Sequence, residues 1–444
     1  MKLKSILAAG LFSSLFSVSV QAENLIEIYR LALDNDPLFR SQGAQLEASL
    51  ENQNQSFASL MPSLSGSYTR GYNKNGSESG IGTATQSESQ SDALGLSLRQ
   101  TIYDYSTWVG YDQAKKRAEQ ARIIYRANQQ DLVIRVAQVY LNVLSAQDNL
   151  EFVLAEQKAI KQELEQTKQR YEVGLIAITD VHEAQARYDQ SEADRITAQN
   201  SLDNANEALR EVTGQYHSDL GTLKKDIPLA SPEPARIDDW VSVAKESNLD
   251  VIASNMEYYI AKQDVKRRYG GHLPSVDLTA SYSDTVRDPS GIDIDTETYG
   301  LSGGISVNVP LYLGGSVNSS VRQGEALSKK ASYDLEFAMR GTIRNTRSAY
   351  LGVEASIAAI KALQQSVISQ ESALEATQAG FEVGTRTIVD VLLSTRNLFS
   401  ARSRLAQARY NYVIAILSLK QAAGILTEDD LSMVNQWIEP KTNG

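Results

Sequence analysis

The chain has no cysteine among its 444 residues. That is compatible with an oxidising compartment, where a stray thiol is a liability, but it rules out a disulfide framework and a lipid carried on an N-terminal cysteine. Histidine is nearly as scarce: His182, His217 and His272 are scattered and lack the spacing of metal ligands. Each is expected to be an ordinary surface or packing residue. No nucleophile-elbow motif organises the many serines into a triad, and Gly314-Gly315 reads as a turn after a strand rather than a phosphate loop. We therefore expect no enzyme, no cofactor and no metal. Basic residues are outnumbered 43 to 54, and the resulting charge of −11 argues against a nucleic-acid partner. Proline is rare too. Three of the nine fall within Asp226–Pro234, which reads as a connector, and none occurs between Trp108 and Val173.

Long apolar runs are missing beyond the start. Lys2 and Lys4, the apolar stretch from Ile6 to Val20 and the small-residue step Val20-Gln21-Ala22 read as a secretory leader over residues 1–22. A membrane anchor is the alternative, but serines interrupt the stretch and it is too short to span. No later segment approaches ~20 continuous apolar residues, so no transmembrane helix is expected after cleavage. The exported chain would start at Glu23 with a net charge of −13, since the leader removes two lysines.

What the chain has in place of these features is a repeat. Tyr171-Glu-Val-Gly-Leu-Ile-Ala-Ile-Thr-Asp180-Val181 returns 210 positions later as Phe381-Glu-Val-Gly-Thr-Arg-Thr-Ile-Val-Asp390-Val391. Both copies sit between long stretches of helical periodicity, and each returning stretch ends at a matching glycine, Gly214 or Gly424. Glycine in a helical pattern marks a place where the chain turns back. The spacing predicts two tandem helical hairpins with tips near 174 and 384. The chain divides accordingly into a repeat at 23–216, a connector at 217–237, a second repeat at 238–424 and a terminal segment at 425–444.

Each half opens with a helical arm, Leu25–Leu60 or Asp238–Tyr269, that stops at a Pro-Ser step, Pro62-Ser63 or Pro274-Ser275. The hydrophobic period then changes to two. Val276, Leu278, Ala280 and Tyr282 alternate with polar residues, as do Leu301, Ile305, Val307 and Leu311, and more weakly Leu64, Tyr68, Tyr72, Leu94, Leu96, Leu98 and Ile102. We expect β-hairpins over 63–104 and 275–312, with polar loops at Asn73–Asp92 and Ser283–Thr298.

Each strand is long enough to cross a bilayer when tilted, which takes ~9–11 residues. Four strands cannot close a barrel, and an open edge in lipid leaves backbone groups unpaired. Known spanning barrels start at about eight. The strands are thus a soluble sheet or one share of a barrel built by several chains. Tyr72, Tyr103, Tyr299 and Tyr312 at strand ends suit interfacial girdles and favour the shared barrel.

The helices that follow the strands need partners along their length, and heptads supply them. Val353, Ile360, Val367, Leu374 and Phe381 form one stripe, Val391, Leu398, Leu405, Tyr412 and Leu419 another, and Val143, Leu150, Leu164 and Tyr171 a third. A structural coiled-coil protein of the cell envelope, without a pore, would explain the helices but not the strands. A general diffusion porin would explain the strands, but its periplasmic turns are short.

Taken together, the chain resembles the TolC family of outer-membrane efflux channels. Gly271-His-Leu-Pro-Ser275, Leu202-Asp-Asn-Ala205, Ala408-Arg-Tyr-Asn-Tyr412 and Val383-Gly-Thr-Arg-Thr-Ile-Val-Asp-Val-Leu392 carry the resemblance, which extends from Glu23 to Leu431. It implies an α+β membrane protein: a homotrimer whose twelve strands form one barrel in the outer-membrane lipid. The barrel continues as a helical tunnel through the periplasm, closed at its far end by the coiled-coil tips. It also implies an equatorial belt at the helix middle, holding the connector and the C-terminal segment. The implied function is an exit duct for drugs and secreted proteins, recruited by an inner-membrane pump through a periplasmic adaptor. Adaptor contacts would fall at Gly174, Leu175, Gly384 and Thr385. Arg386 matches the arginine that holds neighbouring coils closed through Thr179 and Asp180, and Asp390 an aspartate that rings the constriction. A first-turn helix position alone also explains Asp180 and Asp390, and Thr387 is a natural capping partner for Asp390. Phe381 departs from the family's gate tyrosine, and Leu393 from a second aspartate, which leaves a single carboxylate ring.

Overall fold

The computed structural model describes residues 24–439 apart from 79, 81–83, 218 and 290–294. The leader expected at residues 1–22 lies outside the described residues. In chain order come α1 (Leu25–Asn35), α2 (Pro37–Ala58), β1 (Ser63–Glu78), β2 (Ala84–Tyr103), α3 (Tyr105–Glu172) and α4 (Ile178–Thr213). The second half follows with β3 (Thr222–Leu223), α5 (Ile237–Ser247), α6 (Leu249–Tyr269), β4 (Ser275–Pro289), β5 (Thr296–Asn308), α7 (Ser316–Glu382) and α8 (Ile388–Ala422). Helix α9 (Glu428–Asn435) and β6 (Ile438–Glu439) complete the chain.

Each opening arm is two helices, not the single one expected over Leu25–Leu60 and Asp238–Tyr269. Asp36 is extended, with φ −65° and ψ 114°, and it closes α1 through its N–H to Ala32 O at 2.9 Å. Its carboxylate then accepts the Leu38 N–H at 2.9 Å, while Pro37 opens α2 at a position that needs no donor. Asn248 repeats this between α5 and α6, bonding to Ala244 O and accepting from the backbone N–H groups of Asp250 and Val251. A short polar residue that ends one helix and caps the next bends the arm without leaving backbone groups unpaired.

The strands form one antiparallel sheet in the order β1-β2-β4-β5. The long polar loops expected at Asn73–Asp92 and Ser283–Thr298 are mostly strand. Pairing continues to Glu78↔Ala84 in the first hairpin and to Arg287↔Thr296 in the second. A ladder satisfies the backbone whatever the side chains are, and Arg70–Asp92 and Lys74–Glu88 ion pairs bridge its polar extension. The second hairpin stops at Asn308 rather than 312, because Pro310 has no N–H to give the ladder.

Register puts the apolar residues on one face, row by row. Tyr68, Leu94, Asp284 and Tyr299 are cross-strand neighbours; so are Gly66, Leu96, Tyr282 and Leu301; so are Leu278 and Ile305, and Val276 and Val307. A bulge at Ile102 turns Tyr103 onto this face opposite Val276. The other face is small and polar. Ser65, Ser97, Ser281 and Ser302 align across all four strands, with hydroxyl contacts of 2.7 Å and 2.8 Å in the two hairpins. Asp277 accepts from Thr101 Oγ1 at 2.9 Å on that side. Within one chain the apolar face has no cover: Leu301 is 81% and Ile305 70% exposed.

Below the sheet α3 runs unbroken for 68 residues and α7 for 67, each roughly 100 Å long at ~1.5 Å per residue. Helices α2, α3, α6 and α7 lie side by side in that order near the strands. Toward the other end the order is α4, α3, α8, α7. The α8 heptad stripe is wholly buried, from Val391 to Leu419. Val353 and Ile360 are buried and Val367, Leu374 and Phe381 half-buried. The third stripe ends early, since Tyr171 is 43% exposed. Opposite it α4 presents small residues, Ala184, Ser191 and Ala198, which let the coils approach closely.

The main core lies at the middle of the long helices, where α1, α5 and α9 pack around Tyr140, Leu141, Tyr410 and Tyr412. Here β3 of the connector pairs with β6 of the terminal segment. The Tyr412 hydroxyl meets Pro228 O and Ala230 O at 3.1 Å each and accepts the Ala230 N–H at 3.0 Å. Among the described residues no helix is long and apolar enough to cross a membrane.

Candidate functional site

Both hairpin tips are built by the same turn. In the first, the Gly174 N–H reaches Tyr171 O at 2.9 Å and the Leu175 N–H reaches Arg170 O at 2.9 Å. In the second, Gly384 bonds to Phe381 O at 3.2 Å and Thr385 to Gly380 O at 2.8 Å. This paired closure needs a left-handed residue, and Gly174 and Gly384 have φ of 75° and 78°. The turns leave Val173, Leu175 and Val383 at least 70% exposed.

The two returning helices start differently. Thr387 caps α8 and Asp390 completes the box: one carboxylate oxygen accepts the Thr387 N–H and hydroxyl, both at 2.9 Å. Those bonds, with the nearby Arg386 charge, hold the Asp390 carboxyl below the usual carboxylate range. Ala177 stands in the cap position of α4 and has no side-chain oxygen to offer. Thr179 and Asp180 therefore lie in an uncapped first turn, and no side-chain hydrogen bond or ion pair engages them within the described residues.

Arg386 folds back over Gly380. A Cβ at position 380 would stand 2.7 Å from Arg386 Cγ and 3.2 Å from Thr385 Oγ1, so the glycine makes room for this return. Among the described residues the guanidinium makes no hydrogen bond to Thr179 and no ion pair with Asp180 or any other carboxylate. Phe381, by contrast, is engaged. It packs on a tip core of Ile160, Leu164, Ala184, Ile388, Val391 and Leu392, with the Arg170 guanidinium 4.4 Å above its ring. Seven residues before Arg170, burial pushes the Glu163 carboxyl up against the lowering effect of Gln378 and Arg170 nearby. Leu393 is 47% exposed one turn beyond Asp390.

Arg170–Phe381 ties α3 to α7, more than 200 residues away in sequence. A helix-end arginine carries no local signal of such pairing; only the repeat offset, which places Arg170 opposite Gly380, singles it out.

A duplicated strand-and-coiled-coil architecture with paired tips defines a class. The family model described as outer membrane efflux protein matches this chain twice, over residues 28–215 and 240–425. Outer membrane protein TolC of Vibrio cholerae serotype O1 is 44% identical over 427 residues, covering 94% of each chain. The proteases secretion protein PrtF of Dickeya chrysanthemi is 31% identical over 439 residues, covering 96% of this chain and 93% of that one. Among solved structures, the outer membrane protein VceC of Vibrio cholerae shares the fold with a TM-score of 0.74 at 20% identity, over 90% of this chain and 96% of that one. The chain belongs to the outer membrane efflux protein family. It is an outer-membrane channel protein and not an enzyme.

Proposed function

We propose that three copies of the chain form one exit duct, with a twelve-stranded barrel in the outer membrane and a helical tunnel reaching into the periplasm. One observation carries this reading. The four-stranded sheet has an uncovered apolar face and two unpaired edges, β1 and β5. In lipid such edges must pair, and identical copies can supply the pairing by joining β5 of one to β1 of the next. Two copies would give eight strands, which geometry allows; three is what the family resemblance implies. The serine-rich face then lines a wet lumen.

In this reading the tips form the gate. Arg386 of one protomer reaches Thr179 and Asp180 of the next, whose side-chain oxygens are not spent on capping α4. Asp390 supplies one carboxylate per chain to a throat, and Leu393 adds none. Gly174, Leu175, Gly384 and Thr385 meet a periplasmic adaptor, and an inner-membrane pump delivers the cargo. In this reading the cargo classes are drugs and secreted proteins, supported by the family's efflux description and by a relative named for protease secretion. The test is native mass spectrometry of the detergent-extracted protein together with conductance in planar bilayers. A trimer that conducts supports the reading. A monodisperse monomer or dimer, or a trimer without a pore, refutes it.

A further inference from the structure

Each repeat supplies one arginine and one aromatic ring to its tip, but within a chain only one pair forms. Arg170, at the end of α3, covers Phe381 of α7. In the second repeat the position equivalent to Arg170 is Gly380, and the missing cation is replaced from the turn: Arg386 returns across that glycine with its Cγ where a Cβ would be crowded. The arginine has a different origin, but its stem lies where the side chain of the equivalent residue would begin. Tyr171, the repeat equivalent of Phe381, is left 43% exposed, and Arg386 has no ring within the described chain.

The helix order says where the second pair closes. Along the tip end the helices run α4, α3, α8, α7, and a closed ring places α4 and then α3 of the next copy beside α7. The repeat relation that carries α3 onto α7 carries α7 onto that neighbouring α3. It therefore carries the Arg170–Phe381 contact onto a contact between Arg386 and the neighbour's Tyr171. We propose that the tunnel end is held shut by arginine–aromatic contacts alternating around the ring, Arg170 on Phe381 within each protomer and Arg386 on Tyr171 of the next between protomers. This rests on the trimeric reading above. A guanidinium stacks by its face and hydrogen-bonds by its edge, so Arg386 can cover Tyr171 while its N–H groups meet Thr179 and Asp180. Phe381, without a hydroxyl, keeps its full part in such a gate.

The absence of cysteine makes the geometry directly testable. Tyr171→Cys combined with Arg386→Cys, treated with a short bismaleimide, is expected to give covalent dimers and trimers on a denaturing gel. Arg170→Cys with Phe381→Cys should cross-link without a gain in mass. Tyr171 and Arg386 cross-linking only within monomers, or not at all in an intact trimer, overturns the proposal. Function gives a second readout. Tyr171→Leu should shift the closed-to-open ratio by about 2–5-fold per contact, hence roughly 8–125-fold over three seams, and Tyr171→Phe should rescue closure. In the Tyr171→Leu background Arg386→Gln should add less than it does alone; strictly additive effects overturn the pairing. If native mass spectrometry finds no trimer, the trimeric reading itself falls. If the trimer is intact but uncoupled, only the inter-protomer contact falls.

Discussion

A single arginine on the outer face of β5 separates a barrel share from a soluble sheet. Ile305 is 70% exposed within the chain and pairs with Leu278 in the apolar rows. From Val307 to Tyr299 the strand advances eight residues, about 26 Å at ~3.3 Å each. A tilt of ~40° reduces this to roughly 20 Å of bilayer height, and puts Ile305 about 5 Å from the middle. Arginine facing lipid costs ~2–4 kcal/mol at the midplane and ~0–1 near the interfaces, so Ile305→Arg should cost ~2–3 kcal/mol per chain. Three copies act together, giving ~6–9 kcal/mol for one trimer, on the order of a whole domain's stability. Ser306→Arg is the matched control. It lies one residue away on the opposite face, paired with Asp277, where a wet lumen should hold the effect within ~0.5 kcal/mol. The assay is recovery of heat-dissociable trimer from outer membranes, with the dissociation midpoint read on a semi-native gel. We expect Ile305→Arg to abolish or sharply destabilise that trimer and Ser306→Arg to leave it near the parent. Equal behaviour of the two variants would mean that both faces see the same solvent, and the shared barrel would be wrong.

Other outcomes follow from the tips and the equator. Arg386→Ser removes contacts worth ~1 kcal/mol each at a partly exposed site, repeated threefold, and should raise basal conductance and antibiotic leakage; parental values of both would remove Arg386 from the gate. Asp390→Ala should abolish block by a trivalent cation added from the tip side while assembly persists, and retained block would shift the ring to Asp180. Because the Asp390 pKa is depressed in the folded protein, its charge and its capping bonds are fully present above the ordinary aspartate value of 3.8 and are lost as pH falls below it. In the proposed ring three such carboxylates repel one another and oppose that depression, so block in the parent should weaken on acidification through the carboxylate range, as current recordings over a pH series will read. Tyr412→Phe removes the hydroxyl that holds the Ala230 N–H and the Pro228 and Ala230 carbonyls at a part-buried site; a loss of ~0.5–1.5 kcal/mol in thermal unfolding is expected, with faster proteolysis in Asp226–Pro234.

The repeat, the long helices, the strand faces and the glycine turns were legible because each is a local or periodic property. A left-handed turn needs Gly174 or Gly384 whatever surrounds it, and alternation assigns Leu278 and Ile305 to one face before any pairing is known. Asp390 and Thr387 are three residues apart, so their capping box could be read from the chain directly. The Asp36-Pro37 step is equally local: an aspartate cap followed by a proline that opens the next helix. Strand extent was decided otherwise: the polar segments beyond Tyr72 and Ser283 gain structure only from the ladder, which requires a partner strand in register. So was the facing of Tyr103, which a bulge against Val276 reverses. The pairing of β3 with β6, the hold of Tyr412 on the connector, and the Arg170–Phe381 contact join residues far apart in the chain. Packing energy between distant segments chooses such contacts, and no short window of sequence contains both partners. The sequence by itself determined which local pieces exist and that they occur twice. Tertiary structure alone decided which cation meets which ring, and left Arg386 and Tyr171 facing outward.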